Sequence, residues 1–128
     1  LDNAVAMAKA ARELAHDRKV EAIVVFTRTG RTALLMAKSH PDVPIMAFTP
    51  QIRTYNRLGL YWGVIPFLVP YASSVETMID HVENAIIKST NIQPGQQVVL
   101  ISGFPVGTFS QPNLALLYTV CGANQQFD

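Results

Sequence analysis

Three observations predict an α/β fold with a mostly parallel sheet covered on both faces. Helical patterns alternate with short strand-like runs in the order α-β-α-β-α-β-α-β-β. The strand-like runs are apolar throughout, as strands buried on two sides are. Only the last step breaks the rhythm: no helix fits between Ser102 and Leu114, and a parallel return needs a crossover of about a dozen residues. The fifth strand is therefore expected to run antiparallel beside the fourth.

Each element has its own signal. Leu1, Ala4, Val5, Ala8, Ala11 and Ala15 recur at helical spacing, giving a small-residue face, while Arg12, Asp17, Arg18 and Lys19 lie off it or at its end. Ala22–Phe26 is a β-branched run, and helix is expected from about Arg31 to Ser39, where His40-Pro41-Asp42 breaks it. Val43–Phe48 is the second strand, Pro50 opens a helix through about Leu60, and Val64–Val69 is the third strand. Ser73 and Glu76 have capping-box spacing, and Val75, Met78, Ile79, Val82 and Ile86 form the stripe of the helix that follows. Pro94-Gly95 turns the chain into the strand Gln97–Ser102. The loop Gly103–Asn113 then leads to a last strand, Leu114–Val120. A single domain over residues 1–121 is expected, with a loose polar tail over 122–128.

Composition narrows the function classes. The chain has 128 residues, 49% of them hydrophobic, with ten Lys plus Arg against nine Asp plus Glu. That balance argues against a general nucleic-acid binder or a polybasic membrane binder. No apolar run approaches the roughly 18 residues of a membrane span. No signal-peptide pattern opens the chain, and the lone Cys121 cannot form an internal disulfide, so a cytoplasmic setting is expected. The sequence begins without Met, as a processed form or a piece of a longer protein would.

The stretch Phe26-Thr-Arg-Thr-Gly-Arg-Thr32 carries the most chemistry. It follows the first strand and enters a helix, whose amino end attracts anions through unpaired N–H groups and the helix dipole. Thr27, Thr29 and Thr32 offer hydroxyls, Gly30 permits close backbone approach, and Arg28 and Arg31 supply charge. The inventory suits a phosphate; it equally suits a capped turn with solvated arginines. Neither G-x-G-x-x-G nor G-K-[ST] is present. The loop Gly103-Phe-Pro-Val-Gly107, with Thr108 to Asn113, is long for a hairpin, rich in Gly, Pro and small polar residues, and reads either as a ligand-covering flap or as a surface turn. Both would meet at one crevice if the first and fourth strands were neighbours. Arg53 and Arg57 share a helical face near Tyr55, Tyr61 and Trp62; they suit contact with a ligand or partner, or a solvated face over aromatic packing, the latter favoured. His16, His40 and His81 are scattered without metal-ligand spacing, and no nucleophile elbow exists at Ser102-Gly103. Neither catalytic residues nor metal ligands are therefore assigned, and binding is favoured over chemistry.

Three blocks taken in order resemble the carboxy-terminal domain of bacterial-type pyruvate kinase: "AIVVFTRTGRTALLMAKSHPDVPIMAFTP", "LYWGVIPFLV", and "GFPVG" followed by Asn113. The resemblance implies a three-layer α/β/α sandwich whose five-stranded mixed sheet has order 3-2-1-4-5, strand five antiparallel. It also implies a domain for allosteric regulation and tetramer formation. The parent reaction converts phosphoenolpyruvate and ADP to pyruvate and ATP in a barrel domain that uses Mg²⁺ and commonly K⁺. Nothing in this sequence looks like that barrel, so catalysis by this chain alone, and a cofactor within it, are not expected. The family loop T-x-[ST]-G-x-[ST] maps onto Thr27, Arg28, Thr29, Gly30, Arg31 and Thr32 as the effector-phosphate cradle. Gly103, Phe104, Pro105, Val106, Gly107 and Thr108 map onto the start of the effector loop. Two departures matter: Ser110 and Pro112 stand where Gly and Thr are common, and Ser73–Glu83 lacks the Trp and Arg that hold a second phosphate. Glu76, Asp80 and Glu83 would repel one. A monophosphate effector such as AMP or a sugar monophosphate is expected. The other readings open to the same residues are a free-standing phosphoester enzyme and a purely structural docking domain.

Overall fold

The structure is a computed structural model that describes residues 3–102 and 114–121. Nine elements follow one another: α1 (Asn3–Arg18), β1 (Ala22–Phe26), α2 (Arg31–Lys38), β2 (Ile45–Thr49), α3 (Ile52–Leu58), β3 (Val64–Leu68), α4 (Val75–Ser89), β4 (Gln97–Ser102) and β5 (Leu114–Thr119). The five strands form one sheet of order β3-β2-β1-β4-β5. β1 pairs in parallel with β2 and with β4, β2 in parallel with β3, and β4 antiparallel with β5. The expected order and the reversed last strand are both present.

Side-chain alternation along the strands divides the core in two. On one face Ile23, Val25, Ile45, Ala47, Val99 and Ile101 pack against Ala8, Ala11 and Ala15 of α1, Ala33, Met36 and Ala37 of α2, and Leu58 of α3. On the other, Ala22, Val24, Met46, Phe48, Val98 and Leu100 pack against Met78, Val82 and Ile86 of α4. Each fully buried Val or Ile contributes on the order of 1.5–3 kcal/mol. The alanine stripe of α1 is buried, as expected, but Val5 stays 48% exposed and the partly buried Met7 and Leu14 pack on the core instead.

Element boundaries differ from the sequence reading for local reasons. α1 ends in a Schellman arrangement: Lys19 is left-handed (φ 52), its N–H donates to His16 O, and Val20 N–H donates to Ala15 O. His40 is likewise left-handed at the end of α2 (φ 49) and donates to Ala37 O at 3.1 Å, while Pro41, with no N–H, ends the bonding there. α4 is capped by Ser74, not Ser73; the Ser74 hydroxyl accepts from Thr77 N–H at 3.1 Å, so no capping box with Glu76 forms. α3 ends at Leu58, short of the expected Leu60, because Gly59, a poor helix former, is its C-cap.

The two sheet edges are unequal. Along β3, Gly63 O accepts from Ile45 N–H and Val69 N–H donates to Thr49 O, so odd-numbered residues face β2. Pro66 therefore falls where a strand can lack an N–H, on the outer edge. No helix among the described residues is long and apolar enough to cross a membrane.

Glu83 of α4 ties the end of β5 to the rest of the domain. Its carboxylate accepts from the Tyr118 hydroxyl and, at 2.8 Å, from the Cys121 N–H. Burial, then the hydrogen bond to Glu83, push the Tyr118 phenol well above its ordinary value of about 10. The neutral phenol is thus favoured in the folded state. Its stabilisation is complete below pH 10 and is lost as the pH rises beyond it, where the unfolded chain ionises. Urea denaturation should show Tyr118→Phe less stable than the parent at neutral pH, with the gap narrowing above pH 10.

Candidate anion-binding site

Thr27 to Thr32 bridges β1 to α2 at the carboxyl ends of the parallel strands. The sheet order reverses between β1 and β4, since the chain leaves β1 toward β2 on one side and returns to β4 on the other. Such a switch point opens a crevice beyond the strand ends. Val25 lies in register with Ile101, so the chain beyond β1 emerges beside Ser102, which is buried at the end of β4.

The loop is held from within. Thr27 N–H donates to Phe48 O at 3.0 Å, continuing the β1–β2 ladder by one step. The Thr27 hydroxyl then accepts from Gly30 N–H at 2.8 Å, and the Thr29 hydroxyl lies 3.4 Å from Arg31 N. Gly30 is the N-cap of α2, left-handed at φ 88 and without a side chain to cap with. The first α-helical bond runs from Leu34 N–H to Gly30 O at 2.9 Å. The N–H groups of Arg31, Thr32 and Ala33 therefore precede any carbonyl the helix can offer them, which makes this end electropositive.

The loop is also held from outside, by α3. The hydroxyl of buried Thr54 on α3 donates to Arg28 O at 2.6 Å. One turn later the Arg57 guanidinium donates to Thr29 O. Thr54 gave no signal of its own. Arg57 was visible as one of two arginines four apart, but nothing in the sequence told which faced the loop.

The six cradle residues are contiguous but unequal. Thr29 and Arg31 are exposed, Thr27 and Arg28 half-buried, and Gly30 and Thr32 buried. Gly103, Phe104, Pro105, Val106, Gly107 and Thr108 lie outside the described residues, as does the tail 122–128. On the opposite face of the sheet, Glu76 and Asp80 are exposed and Glu83 is engaged with Tyr118 and Cys121. A groove of about 310 Å³ lies at the other end of the domain, lined by Arg12, Glu13, His16, Asp17 and Asp42 among others. Its three carboxylates make it a poor anion site. Among the described residues no group of three His, Cys, Asp or Glu side chains is placed to hold a metal ion.

The geometry thus defines a doubly wound α/β domain with an electropositive helix end at its switch point. Residues 5–117 match the family profile described as "Pyruvate kinase, alpha/beta domain". The pyruvate kinase of Agrobacterium vitis is 35% identical over 108 residues, 84% of this chain and 23% of that protein. That of Mycobacterium tuberculosis is 31% identical over 111 residues, 87% of this chain and 24% of that protein. A crystal structure of a pyruvate kinase from Cryptosporidium parvum superposes with a TM-score of 0.83 at 24% identity, covering 94% of this chain and 23% of its own. The chain belongs to the pyruvate kinase family, as its C-terminal alpha/beta domain. It spans about a quarter of the length of these relatives.

A Cβ on Gly30 would meet Thr54 Cγ2 at 3.5 Å and Leu58 Cδ2 at 3.6 Å, which is ordinary contact. The cost of a side chain there comes from the positive φ, about 1–2 kcal/mol. Thermal denaturation of Gly30→Ala should show a loss of that order, and Gly30→Asn a smaller one.

Proposed function

We propose that this domain is the regulatory and oligomerising part of a pyruvate kinase, binding a phosphorylated effector at Thr27–Thr32. The parent activity would be phosphoryl transfer from phosphoenolpyruvate to ADP, carried by a barrel domain with Mg²⁺ and commonly K⁺, with no catalysis by this chain alone. One observation carries the reading: an arginine- and threonine-rich loop feeds a helix amino end whose N-cap is a glycine, at the point where strand order reverses. Acidic Glu76 and Asp80 on α4 disfavour a second phosphate, so the effector class is AMP or a sugar monophosphate.

Oligomerisation draws on the contrast between the two edges. β5 reads Leu-Ala-Leu-Leu-Tyr-Thr, with neither charge nor proline, and occupies the end of the sheet. An uncharged edge strand with free ladder groups is a template for another strand. A second copy meeting it across a two-fold axis would give an isologous, closed contact.

AMP or glucose 6-phosphate at about 100 times its Kd should stabilise the chain by roughly 2.7 kcal/mol. Arg31→Ala should abolish that thermal shift. The reading fails if neither compound, nor ribose 5-phosphate, shifts the parent chain.

Val120 N–H donates inward to Gln96 O, so by alternation the Ala115 N–H faces the outer edge of β5. Ala115→Pro should move the association midpoint in sedimentation velocity to higher concentration without unfolding the sheet. An unchanged midpoint would remove β5 from the interface.

A further inference from the structure

Thr54, Arg57 and Leu58 share one face of α3 at spacings of three and four residues. That face is pressed against the turn between β1 and α2. Thr54 is only 4% exposed, and its hydroxyl donates to Arg28 O at 2.6 Å. The Arg57 guanidinium donates to Thr29 O, and its Nη2 would stand 3.7 Å from a Cβ on Gly30. Leu58, fully buried, closes the same contact from below through its Cδ2. Two consecutive carbonyls are thus drawn toward one helix.

The consequence follows from the peptide unit itself. In a trans peptide the C=O and the next N–H point in opposite directions. Drawing the Arg28 and Thr29 carbonyls toward α3 turns the Thr29 and Gly30 N–H groups away from it. The Gly30 N–H is then met by the Thr27 hydroxyl at 2.8 Å, which sets the left-handed Gly30 and the start of α2. Without the two donors on α3, the peptides on either side of Thr29 could rotate, and the helix end would lose its fixed aim.

We infer that Thr54 and Arg57 are positioning residues for the anion loop: α3 sets the direction of its peptide groups, and so its affinity for a phosphoester. The inference rests on the phosphoester reading of Thr27–Thr32. It adds that loop and helix act as one unit, although 26 and 28 residues separate the hydrogen-bonded partners. Arg57 also brings a guanidinium to the loop that contains Arg28 and Arg31, so its charge and its hydrogen bond have to be separated.

Calorimetric titration of the full 128-residue chain with AMP, below the melting temperature of every variant, tests this. Thr54→Val keeps the shape and removes the donor, and should weaken AMP binding about five- to tenfold. Arg57→Met should weaken it at least as much, and Arg57→Gln, which restores an N–H donor without the charge, should recover part of the loss that Arg57→Lys, with donor and charge, recovers more fully. A role confined to stability would lower the melting temperature of Thr54→Val and Arg57→Met while leaving their Kd for AMP at the parent value, and would overturn the inference. If Arg31→Ala loses binding but both α3 variants keep it, the site reading stands and this one falls. If the parent chain binds neither AMP nor a sugar monophosphate, both fall together.

Discussion

The central position of β1 is the constraint on which the rest of the domain depends. Ala22, Ile23, Val24 and Val25 have no solvent exposure, because β2 and β4 flank the strand and helices cover both of its faces. A strand buried on both faces must be apolar at every position, which leaves polar function only at its ends. Parallel pairing on both sides then makes β1 the place where chain order reverses. Whatever follows its last residue opens onto the crevice. The threonines, arginines and glycine after Phe26 stand there for that reason.

Around this strand the domain uses two kinds of packing. The face covered by α1 and α2 is built on alanines, Ala8, Ala11 and Ala15 against Ala33 and Ala37, which allow the helices to lie close. The other face relies on larger side chains. Phe48 stacks between Phe26 at 5.1 Å and Phe67 at 4.7 Å, so three neighbouring strands share one aromatic row near their carboxyl ends. That row lies directly beneath the loop end of the sheet and stiffens the floor from which Thr27 departs. The periphery is looser: Leu60 and Trp62 are exposed, Trp62 meeting only the His40 ring at 4.8 Å among the aromatic contacts described.

The two sheet edges, and the two faces of the loop, differ in their local chemistry. Pro66 blunts β3, while β5 carries neither charge nor proline. The loop presents Thr29 and Arg31 to solvent and its carbonyls to α3. A bound effector would sit on the outer side of a turn whose inner side is already committed.

Much of this was written in the order of residues. The alternation of apolar runs with helical stripes, the lack of a helical pattern in the sequence between Ser102 and Leu114, and the T-x-T-G-x-T spacing are local patterns, and they determined element type, strand direction and the candidate loop. Helix ends were less legible. Ser73 and Ser74 carry the same side chain, and Lys19 and His40 gave no composition signal for the left-handed conformation that backbone hydrogen bonds impose. What only the tertiary structure decided was which groups meet across long separations. Thr54 and Arg57 reach the carbonyls of Arg28 and Thr29, and Glu83 takes up Tyr118 and Cys121. Periodicity assigns a residue to a face of its own element, but the partner of that face is set by the rotation and offset with which elements pack on the sheet, and those depend on the whole core at once.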